Sequence, residues 1–212
     1  MEYMSALEKE IAMEVTIADI GQKVMSIFKF IGELIRKAIK FLTGLVGRLK
    51  KTKGASENEN TKSTEDRSNM NTADLYDCGN ELDRVVNDIQ FCLEMLIKRP
   101  TPDHKVGKGY AERWAGDNEM IADRMAKAAE VLEKLEGIEK KTLTTDKAEK
   151  LKTRLETLNG QYEKYCRIYQ MFIKKNQHTE AFLATTTNSF NTISNIATKA
   201  LNIIMQLSGP QG

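Results

Sequence analysis

Two histidines, three cysteines and one tryptophan in 212 residues leave this chain little material for a metal or nucleophilic site. Cys78, Cys92 and Cys166 form no CxxC pair, so zinc spacing is absent. Cys78 and Cys92 stand fourteen residues apart, four helical turns, on one face. All three cysteines read as small buried apolar groups, in keeping with a reducing compartment. His104 and His178 have no carboxylate at helical spacing, which removes an obvious base or ligand pair. GxxxxGK[ST], GxGxxG, HExxH and GxSxG are all missing. Val106-Gly107-Lys108-Gly109 lacks the spacing of a phosphate loop and reads as a surface loop. The chain therefore reads as non-enzymatic, with no cofactor and no metal. Long apolar runs are missing too. The longest is interrupted by Lys29, Glu33, Arg36, Lys37 and Lys40, where a membrane span needs about 20 apolar residues. The first 23 residues carry five acids and no apolar core, so a secretory signal is not expected.

What the chain does have is a basic amphipathic helix from Val24 to Lys51. Val24, Phe28, Ile31, Ile35, Ala38, Leu42, Leu45 and Leu49 alternate four and three apart and share one face. Ile27, Leu34 and Phe41 widen that face on one side, Ile39 and Val46 on the other. Lys29, Arg36, Lys37, Lys40, Lys50 and Lys51 supply the cationic side. From Lys23 to Lys53 nine Lys or Arg face the single Glu33, a local net of +8. The whole chain, with 32 basic and 30 acidic residues, is nearly neutral, so its basic character is an N-terminal property. Such a helix must bury its apolar face in lipid, in a partner, or on its own chain.

The cationic end of the helix, Arg48, Lys50, Lys51 and Lys53, suits a helix terminus before Gly54. Ala55 to Asn71 holds no large apolar side chain except Met70 and reads as a disordered linker. Beyond it, four helical patterns follow. The first starts near Thr72 and Asp74 and carries Leu75, Cys78, Leu82, Val85, Ile89, Cys92 and Leu96 to Arg99. A loop spans Pro100 to Gly109. The second helix runs from about Tyr110 to Lys141, with Trp114, Ile121, Met125, Ala128, Leu132, Leu135 and Ile138. The third is capped by Thr145 or Asp146 and carries Ala148, Leu151, Leu155, Leu158, Tyr162, Tyr165, Tyr169 and Phe172. A break is expected over 176–179. The last helix carries Phe182, Thr186, Phe190, Ile193, Ala197, Leu201, Ile204 and Leu207 before Gly209-Pro210. No strand pattern competes. The expected fold is all-α: residues 1–53 with the amphipathic helix, a linker over 54–71, and an antiparallel four-helix bundle over 72–212. The hydroxyl-rich run Thr185 to Thr192 weakens a helix and marks an unusual region.

Short tripeptides accompany the amphipathic segment: Ala6-Leu7-Glu8, Ala12-Met13-Glu14, Ala55-Ser56-Glu57 and Ser63-Thr64-Glu65. An N-terminal Ala-Met-Glu, a basic amphipathic helix, a polar linker and a helical domain together resemble the internal head proteins of large tailed bacteriophages. The resemblance implies cleavage by a prohead protease after Glu14, at the bond to Val15, with Glu57 and Glu65 as alternatives that would free the bundle. It also implies targeting to the prohead by the N-terminal segment, and a location in the virion interior or, after delivery, the host cytoplasm. The implied partner is a capsid core protein or sister subunits in an oligomer, met by Val24, Phe28, Ile31, Ile35, Leu42, Leu45 and Leu49. The basic face would suit non-specific DNA contact. A second expectation is a peripheral membrane-binding or membrane-active protein, its helix 24–51 lying on an anionic membrane surface at the inner face of a membrane. The third is that the helix folds onto the bundle as a fifth member.

Overall fold

The computed structural model describes the backbone over 6–58, 75–99, 109–174 and 180–207. It is all-α. The helices are α1 (Ala6–Asn58), α2 (Gly79–Lys98), α3 (Gly109–Glu136), α4 (Thr145–Lys174) and α5 (Glu180–Met205). Two dipeptides, β1 (Tyr76–Asp77) and β2 (Lys141–Thr142), pair in parallel.

Side-chain pairs fix the directions. Asp77 meets Lys147 at 2.9 Å, Lys150 meets Asp83 at 2.9 Å, and Gln90 donates to the Arg154 carbonyl at 2.8 Å. These positions advance together, so α2 and α4 run parallel. Arg124 with Asp88 and Arg99 with Asn118 run in opposite order, so α3 is antiparallel to α2. Lys50 with Glu149 and Met25 with Cys166 set α1 antiparallel to α4. Each helix thus reverses its predecessor along the chain. In space, however, α4 packs chiefly on α1 and α2, while α5 packs on α1, α2 and α3. In this packing α2 lies next to the parallel α4, and α1 takes a place beside α4 and α5.

One core runs through all five helices. Leu82, Ile89, Leu132, Leu155, Ile193 and Ile204 are fully buried in it together with the α1 stripe. Several boundaries differ from the sequence expectation. α1 continues past Gly54 to Asn58, since a helical glycine costs only about 1 kcal/mol. The rest of the expected linker, from Glu59 onward, lies outside the described residues. α2 begins at Gly79, not near Thr72, because β1 occupies the chain before it; Leu75 is accordingly exposed. The Gly79 amide donates to Asp77 Oδ1 at 3.0 Å. A Cβ on Gly79 would stand 2.8 Å from the Lys147 Cβ, so glycine is what lets α2 start this close to α4. α3 ends at Glu136; beyond it the chain turns, with Leu143 buried and the Lys141 ammonium donating to the Ile138 carbonyl. Of the loop expected over Pro100 to Gly109, Gly109 instead opens α3, and 100–108 lie outside the described residues, as does the break expected over 176–179.

Asp83 ties α2 to α4. Burial pulls its carboxyl upward, but hydrogen bonds from Arg154 and Lys150 outweigh burial and hold it below its ordinary value. A carboxyl depressed in the native state adds stability above the unfolded pKa near 3.9 and loses it as pH falls. Asp83→Asn should therefore lower stability at neutral pH by about 1–3 kcal/mol. It should also flatten the loss of stability below about pH 4, read by urea unfolding across a pH series.

Candidate functional site

α1 is the element on which every functional expectation rests, and its two faces have different fates. Val24, Phe28, Ile31, Ile35, Leu42 and Leu45, expected to meet a partner or a membrane, are buried within the chain's own core. Leu49 packs at its edge, half-buried. The reason lies on α4 and α5. Tyr162, Tyr165 and Tyr169 of α4 and Phe190 of α5 form an aromatic cluster that those helices do not cover by themselves. Phe28 fills it, with ring centroids 4.4 Å from Phe190, 5.7 Å from Tyr165, 6.2 Å from Tyr169 and 6.5 Å from Tyr162. Burial raises the hydroxyls of Tyr162, Tyr165 and Tyr169 above their ordinary pKa. Tyr169 shares a 3.2 Å hydrogen bond with Thr187, which draws one residue of the hydroxyl-rich run to α4.

The cationic face stays in water. Lys29, Arg36, Lys37, Lys40, Lys50 and Lys51 are all exposed. Lys50 reaches Glu149 at 2.6 Å, and its hydrogen bond holds the Glu149 carboxyl below the ordinary range. Thr43 sits on the same open side, its hydroxyl donating back to the Ile39 carbonyl. Two grooves border the ridge. One of about 310 Å³ faces α4, with Met25, Lys29, Arg36, Tyr162 and Cys166 in its walls. The other, about 410 Å³, faces α5.

The candidate processing bonds fall at different places along the chain. Glu14 and Val15 lie on α1, so cleavage there requires local unwinding of the helix. That cut leaves the docked stripe from Val24 onward intact. Glu57 lies in the last turn of α1, and Glu65 lies outside the described residues. A cut at either of these would not by itself free the bundle, because Phe28 and its neighbours stay packed in the core.

Sequence reading missed a buried polar network at the other end of α2. Arg99, marked only as a helix terminus, is 5% exposed. Its guanidinium donates to Asn118 at 3.0 Å and to Thr186 at 3.4 Å, and lies 5.9 Å from the Trp114 ring centroid. Ser189 donates to the same Asn118 oxygen at 2.9 Å. The hydroxyls of Thr186 and Ser189 were the available signal, since a helix face bearing them needs polar company. Cys78 and Cys92 are buried, and burial pushes their thiols up to about 11 and about 12. Such thiols are poor nucleophiles and poor metal ligands at neutral pH. Among the described residues no three His, Cys, Asp or Glu are grouped to hold a metal, and no helix is long and apolar enough to cross a membrane.

No protein-family model, no curated protein and no solved structure matches this chain.

Phe28 should carry much of the attachment of α1. Phe28→Ala should lower global stability by about 3–5 kcal/mol. Hydrogen exchange should show the amides around Ile31 and Ile35 losing protection before those of α2.

Proposed function

We propose that this protein is a non-enzymatic helical-bundle component of a tailed-phage head interior, whose first helix presents a cationic ridge to packaged DNA. The observation that supports this most is the division of α1: its apolar stripe is consumed by the chain's own core, while Lys29, Arg36, Lys37, Lys40 and Lys51 remain in solvent along one side. Lys29, Arg36 and Lys40 are spaced seven and four apart, so they stack in a line along the helix. A line of lysine and arginine on a rigid rod binds phosphate backbones without reading sequence. Docking also fixes the ridge on a scaffold, so binding does not require α1 to fold at that moment.

The phage setting comes from the N-terminal tripeptides and their arrangement, and docking changes what processing does. Cleavage after Glu14 removes a leader and leaves the ridge in place. Cleavage after Glu57 or Glu65 leaves a nicked protein that holds together. Insertion of the apolar stripe into an anionic membrane requires α1 to leave the aromatic cluster, exposing Tyr162, Tyr165 and Phe190. The docked ridge thus favours polyanion contact over insertion.

Duplex DNA binding measured against salt tests the ridge. Each phosphate contact contributes about 0.9 to the slope of log affinity against log salt. Replacing Lys29, Arg36, Lys40 and Lys51 with Gln should lower that slope by about 3–4 with little change in melting temperature. Absence of salt-dependent binding by the parent protein overturns the ridge reading.

The mature protein from native particles should show, by denaturing mass spectrometry, a new amino terminus at Val15. If the cut follows Glu57 or Glu65 instead, the N-terminal fragment should co-purify under native conditions. An intact amino terminus in particles removes the processing claim.

A further inference from the structure

The cationic ridge of α1 is bordered by two helices of opposite character. On α4, Glu149, Glu156 and Glu163 recur every seven residues, and all three are exposed. Seven residues is nearly two full turns, so they form one row. Glu149 already holds Lys50 at 2.6 Å, and Glu163 shares a groove with Lys29 and Arg36. On α5, Asn188, Asn195 and Asn202 recur at the same interval, and they too are exposed. Thr192, Lys199 and Gln206 stand beside them in water. From Ala181 to Gly212 there is no Asp or Glu, and Lys199 is the one charged side chain. Phe30 of α1 and Asn195 of α5 line opposite walls of the groove between the two helices. These helices run in the same direction. Lys23 and Lys37, seven residues either side of Phe30, therefore stand about level with Asn188 and Asn202.

We propose that duplex DNA lies along α1 on its α5 side, with the outer row of α5 as the second half of the contact. The phosphates follow the crest of α1 and extend over Lys37 and Lys199. The side-chain amides of Asn188, Asn195 and Asn202 donate to phosphate oxygens. Amides and hydroxyls are regular phosphate donors in protein–DNA contacts, and they bring no opposing charge. On the α4 side the phosphates would run against a row of carboxylates. The cations there are already shared with acids: Lys50 with Glu149, Lys152 with Glu156, and Arg167 with Glu163. Glu33, exposed on α1, is the one acid from Lys23 to Lys53 that the DNA must pass. The inference rests on the reading of α1 as a DNA-binding ridge and adds to it the flank on which the duplex lies.

Fluorescence anisotropy of the full chain with a labelled mixed-sequence duplex tests which flank is used. Asn195→Asp and Gln170→Glu each add one negative charge at an exposed position, the first on α5 and the second on α4, where Gln170 lies against Met25. Asn195→Asp should weaken binding by about fivefold or more, and Gln170→Glu by less than about twofold. Lys199→Gln should lower the slope of log affinity against log salt by about 0.9, whereas Lys50→Gln, an equal loss of charge on the α4 flank, should leave it unchanged. Melting temperatures should stay at the parent value, since all four side chains are in water. Equal losses from the two flanks mean that charge acts at a distance; they overturn the α5 contact and leave the ridge standing. Larger losses from Gln170→Glu or Lys50→Gln put the duplex on α4 and overturn the inference as well. Failure of the parent protein to bind the duplex overturns both readings.

Discussion

An aromatic cluster that needs a lid is the constraint from which the rest of this molecule follows. Tyr162, Tyr165 and Tyr169 repeat at helical spacing on α4, and Phe190 faces them from α5. Rings of this size bury much apolar surface, each contributing about 1.5–3 kcal/mol when removed from water. Phe28 closes the cluster, and the Val24 to Leu45 stripe extends the closure along α4 and α5.

Once the stripe is committed inward, the charge of α1 is sorted by the same geometry. A helix that buries one face must present the other, and here that other face carries most of the helix's lysines and arginines, with Glu33, Phe30 and several small or polar residues among them. The exposed ridge is thus a direct consequence of the packing. The polar side of the molecule is assembled differently. Asp83, Arg154 and Lys150 link α2 to α4, and Arg99 with Asn118, Thr186 and Ser189 links the far end of α2 to α3 and α5. The Asp83 group fixes the register of the parallel neighbours α2 and α4, and the Arg99 group that of α2 against α3 and α5. A partly buried pair such as Asp83 with Arg154 contributes more to register than an exposed one such as Lys98 with Glu94.

The apolar spacing of each segment by itself determined that the chain is helical and which residues enter the core. Leu82, Ile89, Leu132, Leu155, Tyr165 and Ile204 were all legible from period alone, because a stripe at three and four can satisfy only one face. The α1 stripe was equally legible, and so was its need for cover. The identity of that cover was not, since periodicity states that a face must be buried and never against what. Only the tertiary structure decided it, by placing four rings where Phe28 fits. The same limit explains Gly79, whose need for no side chain comes from Lys147 on another helix, and Arg99, whose partners lie 19 and 87 residues away. Helical pattern is a local property of the chain. Neighbours, register and the pairing of buried polar groups are set by contacts across it, and these exist only once the helices have met.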